Sequence, residues 1–78
     1  MPADIYGSPD DKRLFVGLTG SDSVEVFDVS GAQPSSIKRI KTGSGAHAFR
    51  AAGDKRHLYV SNRVANTISK LDMQRQEV

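Results

Sequence analysis

The chain repeats itself once: Leu14-Phe15-Val16 returns 44 residues on as Leu58-Tyr59-Val60. The same shift lays Asp10 on Asp54, Lys12 on Arg56, Asp22 on Asn66, Ser23 on Thr67, Val24 on Ile68, Phe27 on Leu71 and Asp28 on Asp72. Few of these pairs are identities, but most preserve chemistry. A unit repeated at this spacing cannot bury its apolar faces alone, so copies must stack. The apolar residues fall in short β-branched and aromatic runs bounded by Gly, Pro, Asp, Asn and Ser, not three and four apart. That pattern belongs to strands.

Taken together, the two copies place strands near Ala3 to Gly7, Arg13 to Leu18, Val24 to Val29, Ser36 to Lys41, His47 to Ala51, His57 to Asn62 and Thr67 to Asp72. Repeats of roughly 40 to 50 residues built from four short antiparallel strands are β-propeller blades. The expected fold is therefore all-β, with seven strands in an incomplete ring. Residues 1–42 form one blade, and residues 43–78 supply three strands of a second. Ser8-Pro9-Asp10-Asp11 is a type I turn signal echoed by Ala52-Gly53-Asp54-Lys55, because Pro presets φ and Asp hydrogen-bonds the local backbone. Asp22 and Asn66 suit Asx-type hairpin turns and tolerate a left-handed backbone. Alternation sets Leu14, Val16 and Leu18 against Phe15 and Gly17, which predicts a sheet covered on both faces.

Composition removes several classes of function. There are no cysteines, which excludes a disulfide framework, thiolate metal sites and thiol nucleophiles. Eleven basic residues against 9 acidic ones leave a net charge of +2, too little for long-range steering of an acidic partner. The longest uncharged stretch, Val29 to Ile37, is rich in Ser, Gly and Pro and cannot span a bilayer. Met1-Pro2-Ala3-Asp4 lacks the basic start and apolar run of a signal peptide, so any export signal is expected upstream. Lys38, Arg39, Lys41 and Arg50 lack the clustering and stacking aromatics of a nucleic-acid surface and read as a solvated outer strand.

The segments Ser8-Pro9-Asp10-Asp11-Lys12-Arg13-Leu14-Phe15-Val16, Leu58-Tyr59-Val60-Ser61-Asn62 and Ala65-Asn66-Thr67-Ile68-Ser69-Lys70-Leu71-Asp72 resemble the YVTN family of β-propeller repeats. Gly43-Ser44-Gly45-Ala46-His47 is similar to that family's glycine-rich approach to a repeat. Two departures stand out. Asp11 and Lys55 sit where the family usually has glycine, and Gly17-Leu18 replaces the polar-Asn strand ending in the first copy. The resemblance implies a bacterial or archaeal protein, exported to the periplasm or cell surface, with rings of about seven blades. Some similar propellers are lactonases, haem-binding propellers of respiratory nitrite reductases or propeller subunits of quinoprotein dehydrogenases. The matched motifs specify turns and packing, so the fold does not carry an activity with it.

His47 is the foremost site candidate, at the start of an innermost strand near the mouth of a central channel. Imidazole there could act as acid or base, or ligate metal, and the resemblance extends this to haem. No second ligand stands at a recognisable spacing. Arg50 and Arg63, where the two copies also differ, are the other rim or channel candidates. Asp10, Asp28, Asp54 and Asp72 recur in both copies and read as turn residues, because a catalytic group is needed only once. The expected function is a non-catalytic binding or scaffold propeller that contacts a protein, glycan or small ligand. Its exposed blade faces are expected to meet the remaining blades of a longer protein or further copies of the chain. The rival classes are a periplasmic cofactor or enzyme propeller and a surface-layer structural repeat.

Overall fold

A computed structural model describes residues 2–18, 20 and 22–78. Seven strands follow one another: β1 (Pro2–Gly7), β2 (Arg13–Leu18), β3 (Ser23–Asp28), β4 (Ser35–Lys41), β5 (Ala46–Ala51), β6 (His57–Asn62) and β7 (Thr67–Asp72). They form two antiparallel meanders, β1-β2-β3-β4 and β5-β6-β7. Each strand begins within one residue of where the sequence pattern puts it. After β7 the chain turns back at once, and Glu77 makes an isolated antiparallel bridge to Asp72. Among the described residues no helix is long and apolar enough to cross a membrane.

Register decides which side chains share a face. Tyr6, Phe15 and Val26 stand in one cross-strand row, and Asp4, Gly17 and Val24 in the next. This face of the first sheet lies against the second, whose facing side carries Phe49 and Val60 in one row and Leu58 and Leu71 in another. Phe15, Val24, Val26, Leu58, Val60 and Leu71 are fully buried, with Ile40, Ala46 and Met73 completing the cluster. Burying each large side chain contributes roughly 1.5–3 kcal/mol. Gly17 packs against the start of β5: a Cβ there would stand 3.4 Å from the Ala46 carbonyl oxygen and 3.5 Å from the Phe49 ring, ordinary contact distances.

β2 is largely buried on both of its faces, while one pair of sheet faces is docked and the two outer faces stay open, as an incomplete ring requires. Ile5 at 56% and Ile68 at 72% exposure lie on the two undocked faces. On the second sheet that open face carries Arg50, Tyr59 and Lys70 in one row and Ala48, Ser61 and Ile68 in the next. These are the counterparts, 44 residues on, of Tyr6, Phe15, Val26, Asp4, Gly17 and Val24, the residues that dock the first sheet. Lys70 is solvated, as its place in an otherwise apolar pattern suggests, with Nζ 5.8 Å from the centroid of its cross-strand neighbour Tyr59.

One carboxylate ties the two inner strands together. Both β1 and β5 carry an irregularity after their first residue, between Pro2 and Asp4 and between Ala46 and Ala48. Such a bulge leaves a residue out of the ladder. Asp4 Oδ1 accepts from the Ile5 amide at 2.9 Å, and Asp4 Oδ2 accepts from the Phe49 amide of the other sheet, also at 2.9 Å. Replacing Asp4 by Ala removes both acceptors and should cost about 1–3 kcal/mol, since an abandoned partly buried donor loses its compensation. Chemical denaturation would show the lower stability, and amide exchange should quicken at Phe49. Unchanged exchange there would refute the bridging role.

Candidate functional site

At one end of the sheets the repeated carboxylates are consumed by turns. Asp10 Oδ1 accepts from Ser8 Oγ at 2.6 Å and from the Lys12 amide at 3.0 Å, while Ser8 Oγ accepts from the Arg13 amide at 3.0 Å. Asp54 does the same work in the second copy, accepting from the Arg56 and His57 amides at 2.9 Å each. His57 Nδ1 stands 2.6 Å from Asp54 Oδ2. Asp11 and Lys55 hold φ of 61° and 60°. The turns thus keep the left-handed step for which glycine is the usual residue, at the steric cost a Cβ brings there.

Asp28 accepts from the Ser30 hydroxyl at 2.6 Å and the Ser30 amide at 2.9 Å. Asp72 accepts from the Gln74 and Arg75 amides and takes a two-pronged contact from Arg56, with Nε at 3.0 Å and a terminal nitrogen at 2.9 Å. Hydrogen bonds to the charged form lower a carboxyl pKa. The His57 contact leads in holding Asp54 far below the usual range. Arg56 leads in pulling Asp72 down to about 2. Ser8 does this for Asp10 and Ser30 for Asp28. Groups held so firmly ionised are poor proton carriers near neutral pH.

The opposite end of the second sheet is different. His47, Ser61, Asn62, Arg63, Asn66, Thr67 and Ile68 line one open concavity where β5 begins, β6 ends and β7 begins. His47 occupies the bulge position on β5, half-buried, and Arg63 is exposed in the β6–β7 turn. Two sequence candidates are therefore brought together. Arg50 is not among them: it lines a neighbouring concavity with Ala48, Phe49, Tyr59, Ser61 and Ile68. Among the described residues, the side chains of His47 and Arg63 take part in no hydrogen bond or ion pair.

The frame around this concavity is stiff. The Arg63 amide donates to the Gly45 carbonyl at 2.8 Å, and the Val64 and Ala65 amides donate to the Ser44 carbonyl at 3.2 and 3.1 Å. The Asn66 amide closes the turn onto the Asn62 carbonyl at 2.8 Å, with Asn66 itself left-handed at φ 58°. Gly45 has φ 80°, and a Cβ on it would come within 2.7 Å of the Val64 nitrogen. Below the turn, buried Asn62 donates to Ser69 Oγ at 2.9 Å and Thr67 Oγ1 at 3.3 Å.

The donor set does not fit haem. The concavity offers one imidazole among amides, hydroxyls and a guanidinium, with Ile68 its one large apolar side chain. His57 lies at the far end of β6, engaged with Asp54. Among the described residues no group of three His, Asp or Glu side chains converges to hold a metal. Sequence reasoning missed Asn66 and Thr67 as neighbours of His47, Gly45 as the glycine that lets the turn approach, and Asp4 as the link between sheets. Glycine at position 45 and the Asn62-to-Thr67 hairpin were the available signals. Nothing local marks Asp4, whose partner is 45 residues away.

The sequence model of the YNCE-like beta-propeller family matches the chain over residues 1–78. No curated protein matches it.

The lowered carboxyl values set a pH dependence. A group with a depressed folded-state pKa stabilises the fold fully above its unfolded value and loses that effect as pH falls through the folded one. Urea midpoints followed by circular dichroism should hold level from pH 7 to 5 and decline between about pH 4 and 2. Asp72→Asn should lower the midpoint at pH 7 and flatten the decline. An equally steep decline in that variant would show that Asp72 is not one of its sources.

Proposed function

This chain belongs to the YNCE-like β-propeller family, and on that premise we propose that it is a non-catalytic binding or scaffold module. Residues 1–42 are its first blade and residues 43–78 most of a second. The carrying observation is a division of labour. The carboxylates that could serve acid–base chemistry are bound into turns that both copies share. His47 and Arg63, whose side chains have no partner among the described residues, meet in one concavity at the other end of the second sheet. A rigid recess with uncommitted donors suits recognition of a protein, glycan or small ligand. Export to the periplasm or cell surface accompanies this reading.

The reading has a direct test. In nitrogen-15 NMR titrations with short peptides, oligosaccharides and small metabolites, shifts caused by any binder should gather at His47, Arg63, Asn66 and Thr67. A panel that leaves those signals unmoved, or moves only the Asp54 and His57 end, would sink the module.

The open faces are the second matter. Further blades, or other copies of this chain, are proposed to cover them, since each repeats one half of the docked sheet pair. Sedimentation should show concentration-dependent self-association of the 78-residue chain, weakened by Ile68→Lys. A well-folded monomer at several hundred micromolar with sharp cooperative unfolding would overturn ring completion.

A further inference from the structure

The His47 concavity has a chemical character that narrows its ligand. Among the described residues no carboxylate lines it. Its charged member is Arg63, whose guanidinium carries a fixed charge and a planar fork of donors. Around it stand the His47 imidazole, the amide of Asn66 and the hydroxyl of Thr67, each able to donate a hydrogen bond. Elsewhere in the described structure cations near carboxylates are paired: Arg13 with Asp28, Arg39 with Glu25, Arg56 with Asp72. Arg63 and His47 have no such partner.

Local backbone geometry makes this more than a surface charge. The turn bearing Arg63 is strapped to the loop before β5 by three backbone hydrogen bonds, from Arg63 to Gly45 and from Val64 and Ala65 to Ser44. The left-handed Gly45 permits the contact, because any Cβ would strike the Val64 nitrogen. The β5 bulge at the same point sets His47 beside the turn, and bulges are a recurrent means of re-aiming a side chain. In the first copy the positions of His47 and Arg63 are taken by Ala3 and Thr19. The repeated architecture therefore does not require either basic residue.

We propose that Arg63 and His47, with Asn66 and Thr67, form an oxyanion-binding subsite for the carboxylate or phosphate group of a small ligand. Charge-assisted hydrogen bonds from a guanidinium give such groups both energy and orientation. The proposal rests on the binding-module reading and assigns the ligand's chemical class.

The test is an NMR titration of the 78-residue chain at constant ionic strength with three probes: inorganic phosphate, acetate and glucose. Phosphate or acetate should give saturable shifts at His47, Arg63, Asn66 and Thr67, and the one that saturates identifies the source. Arg63→Gln should weaken that binding by at least about tenfold, whereas Lys38→Gln, which removes an equal charge from β4, should leave it unchanged. Arg63 is exposed in a turn, and unaltered methyl signals of Leu58 and Val60 would show that the variant is folded. Non-saturating shifts, or equal loss in both variants, would overturn the subsite. Saturable shifts with glucose alone would overturn the oxyanion class while leaving the binding module standing.

Discussion

Everything in this molecule depends on two small sheets covering one another. A three- or four-stranded meander with six-residue strands has too little apolar surface to be stable by itself. The first sheet offers Phe15, Val24 and Val26, the second Leu58, Val60 and Leu71, and all six side chains are fully buried where the sheets meet. Gly17 lies at the same contact, where β2 meets the start of β5 beside the Ala46 carbonyl and the Phe49 ring. Asp4 then sets how the inner strands sit against each other, by accepting one hydrogen bond from each. Docking is thus apolar in its driving force and polar in its alignment.

The two copies use the same residues for the same mechanical tasks. Asp10 and Asp54 organise the turn before the second strand of each sheet, and Asp28 and Asp72 cap the end of the third. Their pKa values are lowered because the folded chain bonds to the charged form. The hydrogen bonds that shape these turns are the ones that keep the carboxyls ionised. His57, which replaces Arg13, is drawn into this work as well, through Asp54. His47 and Arg63, which have no side-chain partner among the described residues, stand at positions where the first copy carries Ala3 and Thr19.

Much of the fold was legible from the sequence because strand signals are local. Alternating apolar residues bounded by turn formers locate all seven strands, and the 44-residue echo tells which turn matches which. The site was legible only in part. His47 and Arg63 stand out as departures from the repeat, but their meeting follows from a bulge and a backbone strap that no spacing rule reveals. Arg50 looked equivalent to them on the same grounds. It lies elsewhere because register aligns it with Tyr59 and Lys70, on the open face.

By itself the sequence determined the kind of unit, its turns and the assignment of repeated polar residues to architecture, because these depend on neighbours a few positions apart. It did not determine which faces would be covered. Tyr59 and Phe15 hold equivalent places in the repeat, yet Phe15 is fully buried and Tyr59 is 38% exposed. Only the tertiary structure decides that difference, since burial belongs to the pair of surfaces that meet and not to either strand. The same holds for His47 beside Arg63: one comes from a strand start and the other from a hairpin 16 residues later. Their proximity exists only once the backbone has folded around Gly45.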